Sequence, residues 1–252
     1  MEQAGKQTLF GRQTVLEALN HEKPLDKIFI KKGQTEGALK GIITKAKERG
    51  VVVQEVDKAR LDEMSDAGNH QGVLAVYPAQ DYVEAEAILD RAKAKGEAPF
   101  VLLLDGIMDP RNFGAILRVA EAAGVHGVII PKRGAVGLTS VVAKTSSGAI
   151  EHVLVSRVTN LNDAADKLKK AGLWITCADL DGQNLYEADL DGPVALVIGS
   201  EGEGVSRLLK KNADFTVKIP MFGQVQSLNA SVAAGIMLYE VVRRRHPPGV
   251  FP

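Results

Sequence analysis

From Phe100 onward the chain alternates between short, almost unbroken apolar runs and amphipathic stretches, and this alternation restricts the possible folds more than any other feature. FVLLLD, GVII, HVLVSRV, LWITCADL, VALVIG and FTVKI read as strands that are nearly continuous apolar runs, the pattern of parallel strands covered on both sides. Between them, NFGAILRVAEAAG, a small-residue stretch near TSVVAKTSS, LNDAADKLKKAG and VSRLLKKN carry helical spacing, and Gly124 stops the first. A charged helix, EAEAILDRAKAKG, closed by Gly96, precedes the series, and an apolar helix around residues 232–242 ends it. Strand–helix alternation of this kind predicts an α/β domain with a doubly wound parallel sheet over residues 84–252, whose ligands bind at the carboxyl ends of the strands.

The chain before it is built differently. KIFIK (27–31) and VVVQEV read as strands, TEGALKGIITKAKERG as a helix ending at Gly50, DKARLDEM as a short helix and GVLAVY as a strand. They make a small α/β module over residues 1–77, joined by a short linker at 78–83 that begins with Pro78. Lys and Arg total 31 and so do Asp and Glu, so no global basic field advertises nucleic acid, although Lys31–Lys32, Lys132–Arg133 and Arg243–Arg245 form local clusters. The lone Cys177 sits in an apolar run and reads as a core residue of a cytoplasmic protein. The first residues, MEQAGKQTLFGRQ, have no signal-peptide apolar stretch, and no run approaches the ~18 apolar residues of a membrane span. The five histidines lack metal-ligand spacing, so no metal is expected.

Three strand ends carry residues that packing alone does not ask for. After FVLLLD comes a loop with Asp109 and Pro110, then Asn112 at the expected start of a helix and Arg118 six residues on, among Ile116, Leu117 and Ala120. After VALVIG comes SEGEG, where Gly199, Gly202 and Gly204 flank Ser200 and Glu201. Glycines there suggest backbone approaching a ligand, or simply a turn. Their G-x-x-G-x-G spacing is not the dinucleotide fingerprint, and a late strand places the loop near the end of the sheet, so a Rossmann cofactor is disfavoured, as is a P-loop. The third is MFGQVQSLN, a polar entry to the apolar C-terminal helix with more polar residues than one N-cap needs.

In order, N-x-G-x-x-x-R, V-I-G-S-E-G-x-G and I-P-M-x-G-x-x-x-S-L-N-x-S-x-A resemble the three motifs of the SpoU/TrmH family of RNA 2′-O-ribose methyltransferases. FGRQTVLEAL and NHQGVLAVY are similar to the ribosomal-protein-like RNA-binding domain of the family's rRNA branch. The resemblance implies a C-terminal sheet domain threaded into a deep trefoil knot, S-adenosylmethionine as cofactor, a homodimer, and methylation of a guanosine in 23S rRNA. By motif position it implies catalytic roles for Asn112, Arg118, Glu201, Ser227 and Asn229, and cofactor contacts from Gly199, Ile219, Met221 and Leu228. A tRNA ribose methyltransferase of the same family, a non-catalytic rRNA-binding factor on the same fold, and a small-molecule-binding α/β protein are the competing readings. For Arg118, a guanidinium that stays charged suits a phosphate-holding fork better than a general base.

Overall fold

The computed structural model describes residues 8–21, 23–34 and 37–246. They form two compact units, one running to Asp81 and taking in Leu138–Ser140, the other comprising Tyr82–Gly137 and the chain from Val141 onward.

The first unit is a four-stranded sheet with helices. Its elements are β1 (Thr8–Phe10), α1 (Arg12–Asn20), β2 (Lys27–Lys31), α2 (Ala38–Glu48), β3 (Val52–Val56), α3 (Lys58–Met64) and β4 (Val73–Val76). The strand order is β1-β4-β2-β3. β2 and β3 run parallel, while β4 runs antiparallel to both β1 and β2. Val15, Leu19, Ile28, Ile30, Leu39, Ile42, Val73 and Ala75 close the core, each full burial of a large aliphatic side chain contributing about 1.5–3 kcal/mol. β1 and α1 escaped the sequence reading, which began its elements at Lys27. β1 is three residues long, too short to show alternation, and α1 starts from Gly11 at φ 96° with no capping side chain. The helix expected from Thr35 is seen from Ala38, residues 35 and 36 being outside the described set.

The second unit holds α4 (Ala85–Lys95), β5 (Phe100–Asp105), α5 (Pro110–Ala122), β6 (Gly127–Pro131), α6 (Ser140–Thr145), β7 (Leu154–Val158), α7 (Leu161–Lys170), β8 (Trp174–Asn184), β9 (Val194–Gly199), α8 (Arg207–Asn212), β10 (Phe215–Lys218) and α9 (Ala230–Arg245). Its six strands lie in the order β10-β8-β9-β5-β6-β7, every pair parallel. The pleat explains the unbroken apolar runs. Val101 and Leu103 belong to the cluster that includes Ile88 of α4 and Leu161, Ala165 and Leu168 of α7. Leu102 and Leu104, fully buried as well, point to the opposite face of the sheet.

Three expectations change. β9 lies between β8 and β5 rather than near the end of the sheet, because chain order does not set spatial order when parallel strands cross over. β8 runs to Asn184, well past the expected Leu180, and its pairing with β10 breaks: Thr216 faces Cys177 but Val217 faces Gln183, so 178–182 bulge out of the ladder. And the apolar helix α9 is not buried on every side: Ala230, Ala234, Met237, Leu238, Glu240 and Val241 are buried, whereas Val232 and Tyr239 are half exposed.

Candidate active site

The three unusual strand ends meet at one edge of the second unit. α5 starts two residues earlier than expected, at Pro110, since Asp109 is its N-cap and accepts a hydrogen bond from Arg111 N at 2.8 Å. That places Asn112 in the first turn. Its Nδ2 donates to Glu201 Oε1 at 2.8 Å. Asn229 caps α9: its Oδ1 accepts from Ser231 N (2.9 Å) and Ser231 Oγ (2.6 Å). With the oxygen so engaged, Nδ2 turns to Asn112 Oδ1 (3.0 Å) and Glu201 Oε1 (2.5 Å). Ala230 N reaches the same carboxylate oxygen at 3.4 Å. Glu201 therefore ties its own loop to the N-termini of α5 and α9, where a carboxylate is favoured by the helix dipole.

Glu201 also lines a cavity of about 260 Å³. The loop after β9 forms one wall and the segment 217–228 another, with Leu180, Ile198, Met221 and Leu228 supplying apolar surface and Gln226 and Ser227 polar surface. All four residues expected to hold a cofactor, Gly199, Ile219, Met221 and Leu228, line it. Residues 220–228 make no backbone–backbone hydrogen bond among the described residues, so their main-chain donors and acceptors remain available to a ligand or to water.

The glycines divide by role. Ser200 and Gly204 exchange two backbone hydrogen bonds (3.1 and 3.0 Å), closing the loop into a tight turn. A Cβ on Gly199 would collide with the backbone of Gly204 and Val205. Gly199 is thus required by protein backbone crossing over the strand end, which the ligand-approach reading did not foresee. Gly204 takes φ +67°, and Gly202 has open space around it. Gly114 of the first motif is a packing residue: a Cβ there would strike Thr145 Oγ1.

Arg118 and Ser227 lie outside the hydrogen-bonded group. Arg118 is exposed, on the same outward face as Arg111 seven residues earlier. Six residues of helix separate it from Asn112 by about 9 Å along the axis. Ser227 is exposed and borders the cavity.

The sequence reading passed over a charged group in the cavity wall. In the β8 bulge, Asp179 pairs with Lys210 Nζ at 2.9 Å, and Asp181 lies 3.6 Å from the same ammonium. Burial pulls the Asp179 carboxyl upward, but the hydrogen bond from Lys210 and those from the Asp181 and Leu180 backbone outweigh it and hold it below the usual carboxylate range. Lys210 is raised in turn, chiefly by its hydrogen bond to Asp179. Gly182 in A-D-L-D-G was the available signal, since a Cβ there would press on the backbone of Thr216 and Val217. Beneath, Cys177 is fully buried, and burial, with the Asp105 and Asp179 carboxylates adding to it, pushes its thiol up to about 12.

The cluster Arg243–Arg245 is consumed within the chain. Arg243 and Arg244 hydrogen-bond the buried Glu240 at 2.6–3.0 Å, and Arg245 donates to the carbonyls of Ala98, Pro99 and Gly192 at 2.7–2.9 Å. Among the described residues no group of three or more His, Cys, Asp or Glu could hold a metal ion, and no helix is long and apolar enough to cross a membrane.

Residues 99–239 match the model of the SpoU rRNA Methylase family, and residues 8–83 match that of the RNA 2′-O ribose methyltransferase substrate-binding domain. A Bacillus subtilis protein, YacO, assigned to the TrmH family of tRNA/rRNA methyltransferases, is 45% identical over 243 residues, covering 96% of this chain and 97% of its own. Among solved structures, an AdoMet-bound rRNA methyltransferase from Sinorhizobium meliloti superposes with a TM-score of 0.59 at 25% identity, covering 94% of this chain and 86% of that one. A TrmH/SpoU tRNA-modifying enzyme from A. aeolicus gives a TM-score of 0.55 at 30% identity, covering 65% of this chain and 86% of that one.

Proposed function

The chain belongs to the SpoU rRNA methylase family of RNA 2′-O-ribose methyltransferases, and on that premise we propose that it methylates the ribose 2′-oxygen of a guanosine in 23S rRNA, with S-adenosylmethionine as methyl donor. The observation that carries the reading is the convergence of Asn112 and Asn229 on Glu201, which lines a cavity whose 220–228 wall makes no backbone–backbone hydrogen bond among the described residues.

The residues present fit the cofactor. Its adenine and ribose need apolar contact together with main-chain donors and acceptors, and the 217–228 wall offers both. Gly199, Ile219, Met221 and Leu228 hold it there. In the family this segment is the crossing of a trefoil knot, and we assign residues 221–229 that role. The bound cofactor supplies an electrophilic methyl group. What the chain contributes is positioning, by which alignment of nucleophile and methyl replaces chance encounter. Glu201 fixes both amides, so Asn112 and Asn229 present a preset surface to the incoming ribose. Ser227 borders the same opening. Arg118 holds a phosphate of the substrate and steadies negative charge developing on the 2′-oxygen. The outward stripe of α9, with Val232, Ile236 and Tyr239 at helical spacing, is the face through which two copies pair.

Support for rRNA over tRNA comes from chain coverage: the rRNA methyltransferase from S. meliloti aligns with 94% of this chain, the tRNA-modifying enzyme with 65%. The test is transfer of labelled methyl from S-adenosylmethionine to purified 23S rRNA and to bulk tRNA, followed by mapping of the modified nucleotide. Label on a 23S guanosine 2′-oxygen is expected. Label confined to tRNA moves the chain to the tRNA branch, and no label on either refutes the reading.

A further inference from the structure

The first unit carries a second concavity, of about 690 Å³, between the start of α1, the end of β2 and the 66–72 loop. Its charge is one-sided: Arg12, Lys31 and Lys58 line it, and the carboxylate in the lining, Asp62, is held through Oδ1 by His70 Nε2 at 2.9 Å. Gln34, Asn69 and Gln71 add three amides, each able to donate and accept. The described lining contains no Phe, Tyr or Trp.

The loop that shapes this concavity is strained and pinned. Asp66, Ala67 and Gln71 all have positive φ, between 50° and 58°, a conformation that non-glycine residues rarely adopt and that clusters at functional sites. His70, 7% exposed, locks the loop from inside, its Nδ1 accepting from Gly72 N at 3.0 Å. Ser65 Oγ lies 3.3 Å from the carbonyls of both Asp62 and Gly68. Arg12 is held at the rim, its Nε donating to Gln71 O at 3.0 Å while its backbone N–H donates to Gln71 Oε1 at 3.2 Å. This leaves the terminal guanidinium nitrogens, unbonded among the described residues, for a ligand. A pinned strained loop, three cations and three amides describe a site for a polyanion that also shows hydrogen-bonding edges.

We propose that this concavity seats one unstacked nucleotide of the RNA, its flanking phosphates on Arg12, Lys31 and Lys58 and its base edge on Asn69 and the neighbouring glutamines. The proposal rests on the reading that RNA is the substrate. The concavity is too small for an A-form duplex, whose deep, narrow major groove side chains cannot read, whereas a bulged or looped nucleotide enters and exposes its edges. Without an aromatic platform, recognition comes from hydrogen bonds and phosphate contacts rather than stacking.

The test uses the full chain and a 23S rRNA transcript in filter binding between 50 and 200 mM salt. Each phosphate contact to unpaired RNA contributes about 0.7 to the slope of log K against log salt. Arg12→Gln/Lys31→Gln/Lys58→Gln should therefore lower the slope by about 2, which at this salt span makes the loss of affinity with salt about 20-fold smaller than in the wild type. Lys31→Gln/Lys58→Gln alone, which spares the Arg12 contacts to the loop, should lower it by about 1.4. Lys23→Gln/Lys40→Gln/Lys47→Gln, the same charge change outside the lining, should leave it within about 0.5 of wild type. Asn69→Ala should weaken binding about tenfold at one salt concentration without moving the slope. Equal slopes in the lining and control variants overturn the proposal, as does Asn69→Ala binding like wild type. A wild-type chain that does not bind the transcript at all overturns the functional reading itself, and stabilisation by S-adenosylmethionine, measured in parallel, tells that failure apart.

Discussion

Gly199→Ala is the sharpest probe of how the site is built. The added methyl has no room, because it meets backbone atoms of Gly204 and Val205 rather than a flexible side-chain end. Either the strand end shifts or the turn opens. Opening the turn gives up the two Ser200–Gly204 hydrogen bonds, each worth about 0.5–1.5 kcal/mol net. Keeping it closed incurs overpacking of about 1–3 kcal/mol. Both routes point to a loss of about 1–3 kcal/mol. Urea unfolding followed by tryptophan fluorescence reports on this unit alone, because the one tryptophan of the sequence, Trp174, lies on β8 with its ring 5.6 Å from that of Phe215. With a slope of about 2 kcal/mol per molar urea, the midpoint should fall by roughly 0.5–1.5 M. Cofactor affinity, by calorimetric titration, should fall as well, because the displaced loop is a cavity wall. Gly202→Ala, three residues further on and facing open space, is the control and should stay within about 0.5 kcal/mol of wild type. Equal stability of Gly199→Ala and Gly202→Ala would refute the reasoning.

Other perturbations test the remaining links. Glu201→Gln keeps the shape but replaces three charge-assisted hydrogen bonds by neutral ones at an exposed helix N-terminus; stability should drop by only about 1 kcal/mol while methyl transfer falls at least tenfold, and an unaltered single-turnover rate would remove Glu201 from the positioning role. Arg118→Ala should lose nearly all transfer and Arg118→Lys should keep a measurable part, with cofactor affinity unchanged in both; a rate limb that tracks the side chain in the pH profile of Arg118→Lys would instead identify a general base. Cys177, with its thiol raised to about 12 in the fold from a reference of 9.0, contributes stability that is complete below pH 9 and lost between there and about 12. Iodoacetamide should therefore label it only as urea unfolds the sheet, and full labelling of the native protein would contradict the burial. The Glu240 carboxyl is held below its ordinary range, first by the hydrogen bond from Arg243, so its contribution is present above about pH 4.5 and lost as pH falls below that. Glu240→Gln should cost about 1–3 kcal/mol at pH 7 and flatten the acid limb of the urea midpoint against pH.

The sequence by itself determined what depends on near neighbours. Unbroken apolar runs specified strands buried on both faces, as β5, β6 and β9 are. Gly96 in the left-handed conformation ends α4 where the pattern stopped. The three polar strand ends were legible because Asn112, Glu201 and Asn229 each break a local rule, carrying more polarity than a cap beside a buried element requires. That they bond to one another was decided only by the tertiary structure. Asn112 and Asn229 are 117 residues apart, and no periodicity encodes the crossovers that put β9 beside β5 and bring α9 back over the same strand ends. The same holds for Gly199, whose need for no side chain comes from Gly204 crossing above it, and for Arg243–Arg245, which as text is a basic cluster and in the fold is bonded to Glu240 and four carbonyls. A charge or a glycine in sequence is only a capacity. Whether it meets solvent, backbone or ligand is set by long-range packing, because which groups lose water on folding depends on what the rest of the chain lays against them.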